Sequence, residues 1–137
     1  MNLQVCDVSD LPDDLQVLVG DFVEDSLGER GLELMDTHWF EIHRVPVTAF
    51  PQVKMWTDYR NRAYADAMIG EELPPVLICG DHWLDGRHRV WVARRTGSAT
   101  VDCIDLSEIG VCGRFERLGR LKGMQSLSES VLPTDSR

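Results

Sequence analysis

Residues 84–97 read LDGRHRVWVARRTG and place four arginines and a histidine between two glycines, in a chain with a formal net charge of -9. A strand ending at Asp85, followed by a helix starting at Gly86 or Arg87, leaves the first backbone N–H groups of that helix without intrahelical partners. Such a terminus attracts anions. Gly86 permits an unusual φ and a close backbone approach, Arg87 and Arg89 offer fork-shaped charged donors, and His88 donates through a ring nitrogen. Together they suit a phosphate or polyphosphate. The bland alternative makes Arg87, Arg89, Arg94 and Arg95 a solvated helix face that pairs with acids elsewhere.

Other residues with chemical potential are less sharply patterned. Asp85 reads either as a helix N-cap or as a carboxylate that orients His88 or holds Mg²⁺. Asp85 and His88 are the catalytic candidates, and Glu41, Asp58, Glu71 and Glu72 join Asp85 as candidate bases. The stretch HWFEIH resembles a metal motif, but His38 and His43 are five apart, a spacing that shares neither a strand face nor a helix face. No metal site is expected there. Trp39, Trp56, Trp83 and Trp91 read as core or rim, with Trp83 close to the turn. Arg114, Arg117, Arg120 and Lys122 recur at near-helical spacing and read as a solvated face.

The elements that must position these residues follow from periodicity. Ser9 or Asp10 is the expected cap of a helix carrying Leu15, Leu18, Val19, Phe22 and Val23, with Gly31 as its stop. LELMDTHWFEIHRVPVTAF, rich in aromatic and β-branched residues, reads as one or two strands, Pro46 favouring an edge. VKMWTDYRNRAYADAMIGEEL repeats apolar residues as a helix of about four turns does. PVLIC is a strand, GD a turn, HWLD the returning strand, and Gly97 sits where a helix C′ residue belongs. TVDCIDL alternates as a strand, SEIGVCGRFERLGRLKG is a weaker helix or loop, and MQSLSESVLPTDSR a polar, mobile tail.

From about residue 43 to 107, LPPVLI, LDGRHRVWVARRTG and TVDCIDL occur together and in order, and on these motifs the chain resembles the ParB/sulfiredoxin superfamily. The resemblance covers roughly half the chain. It implies an α+β fold, a short mixed sheet with packed helices, and a nucleotide-binding scaffold that hosts several chemistries. ParB-type partition proteins grip CTP with the corresponding turn and sulfiredoxins bind ATP phosphates there; kinases of free amino acids and nuclease-like proteins are related. Gly86, His88 and Arg89 match the G-x-H-R phosphate turn. Arg87 stands where sulfiredoxins carry their cysteine, which argues against a reductase. Relatives often set a basic residue of the preceding helix against the phosphates, a role open to Arg60 and Arg62. The ParB pattern continues into a helix-turn-helix domain for which the remaining 30 or so residues have no room.

Composition bounds the rest. A chain of 137 residues with 43% hydrophobic content holds one core. The expected division is an acidic amino-terminal extension packed on the core (1–42), the ParB/sulfiredoxin-like core (43–107), a carboxyl-terminal helix or loop (108–125) and the tail (126–137). Residues 1–52 contain eleven acids against Arg30 and Arg44, whereas the remainder is balanced. That charge disfavours tight duplex DNA binding. No apolar run approaches the 18 or so residues of a membrane span, and neither an export signal nor a C-x-x-C pair is present. A cytoplasmic protein with reduced, mostly buried thiols is expected. Two function classes remain: a nucleotide-binding protein (ATP or CTP with Mg²⁺) with NTPase, phosphotransferase or nuclease-like turnover, and a non-catalytic module that meets a protein partner through its acidic extension.

Overall fold

The computed structural model describes residues 4–51, 67–70, 73–111 and 118–122. Most of the helix expected over 53–73, with Asp58, Arg60, Arg62, Glu71 and Glu72, lies outside them, as do Arg114, Arg117 and the tail. The described chain is a small α+β domain. Its elements are β1 (Val5–Asp7), α1 (Asp13–Leu27), α2 (Glu29–Thr37), β2 (Trp39–Glu41), β3 (His43–Pro46), β4 (Val76–Cys79), β5 (His82–Asp85), α3 (Arg87–Arg95) and β6 (Thr100–Asp105), with short 3₁₀ turns at Val8–Asp10, Val47–Ala49 and Leu106–Ile109.

The larger sheet has the order β3-β6-β4-β5. β3 runs antiparallel to β6, β6 parallel to β4, and β4 antiparallel to β5. The parallel pair needs a crossover, which α3 supplies. β4 is apolar at every position because it is covered on both faces. Leu77 and Cys79 join Val19, Phe22, Val23 and Phe40 in one core cluster, whereas Val76 and Ile78 join Val45, Trp83, Val90 and Cys103 in the other. The sheet is therefore the middle layer, with α1 and α2 against one face and α3 against the other. Each fully buried aliphatic or aromatic side chain contributes about 1.5–3 kcal/mol.

The amino-terminal third departs from the periodicity reading. Asp7 caps the 3₁₀ turn Val8–Asp10 by accepting from the Ser9 amide at 3.1 Å, while the Asp10 carboxylate accepts from the Asp7 amide at 3.2 Å. α1 begins only after Pro12, so neither Ser9 nor Asp10 is its cap. Gly31 does not stop the helix either. The chain breaks at Gly28, with φ 72°, and continues as α2 through LELMDT, which the sequence reading made strand. Its leucines, glutamates and methionine are good helix formers, and buried Gly31 and Met35 are one turn apart. Gly31 is needed for packing: a Cβ there would lie 2.5 Å from Leu27 Cβ and 2.8 Å from Val23 Cγ1.

Elsewhere local chemistry and structure agree. β4, the Gly80–Asp81 turn, β5, α3 and β6 lie where expected, and Pro46 ends an edge strand. RVPVTAF, however, is strand only to Pro46 and then a 3₁₀ turn. Residues 118–122 are not helical. They run beside β5, with the Trp83 amide donating to Gly119 O at 2.9 Å and the Leu121 amide to Asp81 O at 2.8 Å. Cys6, Cys79 and Cys103 are buried and none is in a disulfide. No helix among the described residues is long and apolar enough to cross a membrane.

Candidate functional site

β5 ends at Asp85 and α3 begins at Arg87, with Gly86 between them at φ 113° and ψ 24°. Both the backbone and the space require glycine. A Cβ at Gly86 would meet Val76 Cγ2 at 3.0 Å and Arg89 Nε at 3.2 Å, in a conformation that L residues rarely adopt. Gly86 has no side chain with which to cap α3, and no side-chain cap bond is made there.

The turn floors a cleft of about 670 Å³, lined on that side by Asp85, Gly86, Arg87, His88 and Arg89. Pro12, Asp14, Leu15 and Leu18 of the amino-terminal segment also line it. Leu73, Pro74 and Leu118 complete the lining together with Met68. The volume lies within the range of about 300–1,000 Å³ typical of small-molecule sites. Burial, followed by the neighbouring Arg87 charge, holds the His88 imidazolium below its ordinary pKa; Asp85 opposes this shift and Arg89 adds to it. His88 is thus poised as a neutral donor or acceptor.

The arginines of the opening motif do different jobs. Arg87 is exposed at the cleft. Arg89 is buried, and its Nη2 donates to Asp85 Oδ2 at 2.7 Å across one helical turn. Arg94 reaches back to the 3₁₀ turn after β3, donating to Val47 O at 2.9 Å, Phe50 O at 2.7 Å and Pro51 O at 3.2 Å. Arg95 lies over the Trp91 ring, 5.3 Å from its centroid. A uniform solvated face does not describe them. The i,i+4 spacing of Asp85 and Arg89 was visible in the sequence; the carbonyl ladder under Arg94 was not. Trp83 is core, 2% exposed and edge-on to Phe50 at 4.9 Å.

The chain matches no protein-family model, no curated protein and no solved structure.

A second group of side chains lies where the sequence reading expected none. His38 Nε2 is 2.8 Å from Glu108 Oε1, and His43 Nε2 is 3.0 Å from Glu108 Oε2. Glu41 joins them: one ligand-type atom from each of Glu41, His43 and Glu108 lies within 4.8 Å of the others. Five residues apart, the two histidines still reach one carboxylate because they do not share one regular element: His38 follows α2, Glu41 ends β2, which pairs with β1 in a two-stranded sheet, and His43 begins β3 in the four-stranded sheet. Glu41, a candidate base for phosphate chemistry, belongs to this cluster.

Proposed function

We propose that this protein binds a nucleoside triphosphate, ATP or CTP, through its phosphates in the cleft between α1 and the start of α3, on a fold of the ParB/sulfiredoxin type. The observation that carries this reading is the glycine-opened helix start, with Arg87 and His88 beside it, at the floor of a cleft of nucleotide size. Asp14 and Asp85 also line the cleft, and carboxylates beside a phosphate site suit a magnesium complex better than a bare anion. Magnesium would neutralise phosphate charge there. Asp14 and Asp85 are the carboxylates to hold it, and Arg87 and the α3 amides the donors to orient the phosphates.

Arg89 acts through Asp85 in this reading. Its buried ion pair fixes the carboxylate at the turn, so Arg89→Ala perturbs folding as well as binding. Arg87 is the cleaner probe. Calorimetry with ATP and CTP, with and without Mg²⁺, should show saturable binding that Arg87→Ala weakens about ten- to a hundredfold, the equivalent of one charged hydrogen bond. Absence of heat and of thermal stabilisation with every nucleotide would refute the reading.

A binding module is the second reading, supported by a specific observation. Val5, Val17, Leu34 and Trp39 are large exposed apolar residues within the acidic first 42 residues. Exposed apolar side chains on an acidic segment suit a basic protein partner. A chain that bound such a partner but no nucleotide would establish this alternative.

A further inference from the structure

We infer that Glu41, His43 and Glu108 bind one divalent transition-metal ion of the zinc class, and that His38 is a positioning residue holding Glu108 from its other oxygen. The site is separate from the nucleotide cleft and does not depend on it. Its donors come from three places in the fold: the end of β2, the start of β3 and the 3₁₀ turn that follows β6. The antiparallel pairing of β3 with β6 brings Glu108, in the turn that follows β6, to His43.

Donor chemistry and geometry both favour a metal. One imidazole nitrogen and two carboxylates are the mixed set that zinc accepts, and three protein ligands leave a coordination position to water. Ligands about 2.0–2.1 Å from a tetrahedral ion stand about 3.4 Å apart. His43 Nε2 and Glu108 Oε2 are 3.0 Å apart, and the three candidate donors lie within 4.8 Å of one another. Donors within 4.8 Å need only a small closure to reach that spacing. The two carboxylates also repel each other at this separation, a cost that a shared cation removes.

The surroundings pre-organise Glu108. Its Oε1 takes the His38 ring nitrogen at 2.8 Å and the Glu41 amide at 3.3 Å. The His38 ring is itself fixed edge-on against buried Phe40, with centroids 4.6 Å apart. A carboxylate oriented by an outer imidazole is the kind of support that metal ligands receive.

Zinc chloride titrated into the chelator-treated, nucleotide-free protein tests this directly. Calorimetry should give one saturable zinc per chain, not displaced by excess Mg²⁺, and the His38 and His43 ring resonances should shift in NMR while His82 stays put. His38→Ala should weaken zinc about 10- to 100-fold, and Glu108→Gln should weaken it further. Glu29→Gln, which removes an exposed acid elsewhere, should change nothing. Zinc bound equally well by wild type and Glu108→Gln would overturn the assignment, as would unmoved His43 resonances or the absence of saturable binding. Melting curves of each variant separate loss of the site from loss of the fold.

Discussion

Replacing Arg94 and Arg95 separately with methionine keeps most of each apolar stem and removes the charge. Arg94 donates three hydrogen bonds to the carbonyls of Val47, Phe50 and Pro51, at 2.9, 2.7 and 3.2 Å. Charged hydrogen bonds contribute about 1.5–3 kcal/mol each. All three share one guanidinium, and the half-exposed site lets water reach the freed carbonyls, so the sum falls well short of three full bonds. A loss of about 3 kcal/mol is expected. For a chain of 137 residues this lowers Tm by about 10 °C. Arg95 is exposed and its contact with Trp91 is worth about 0.5–1 kcal/mol, so Arg95→Met should cost no more than about 4 °C. Both residues occupy the last turn of α3, so their interactions with the helix dipole largely cancel in the comparison. Urea and thermal unfolding followed by circular dichroism measure the difference. Equal, small losses would show that Arg94 is solvated and that its contacts with the 3₁₀ turn carry no stability. Nucleotide affinity, which the proposal places at the other end of α3, should survive Arg94→Met.

Two glycines in the α1–α2 hairpin should respond in opposite directions. Gly31→Ala forces a Cβ to within 2.5 Å of Leu27 Cβ and should destabilise by about 1–3 kcal/mol, whereas Gly20→Ala meets only Leu32 Cδ2 at 4.0 Å and should stabilise by about 0.5–1 kcal/mol; denaturation midpoints that move together would contradict the packing. The depressed His88 pKa sets a pH dependence: its contribution to stability is present above the unfolded value of 6.5 and is lost as pH falls through the lower folded value. A bound phosphate favours the imidazolium, so nucleotide affinity should rise as pH falls toward the lowered folded value, and His88→Gln should flatten both profiles. Wild-type profiles that are already flat across that range would remove His88 from the phosphate site.

The motif that bends the chain from β5 into α3 was legible in the sequence because its causes are local. Gly86 and Gly97 adopt positive φ, which backbone sterics make cheap for glycine alone, and the continuous apolar run of β4 can only be covered on both faces. The same reasoning misread LELMDT, whose short apolar pattern fits either period until Gly28 breaks the chain and α2 folds back on α1. Nothing local shows that Pro12, Asp14 and Leu15 line the same cleft as the turn. Nor does it show that Arg94 reaches carbonyls 43 to 47 residues away. Glu108 meets His43 and His38 across 65 and 70 residues. These contacts depend on which strand lies beside which. Periodicity shows which side of an element is buried but not what is buried against it, so charged groups far apart in the chain acquire partners only when the sheet order β3-β6-β4-β5 is set.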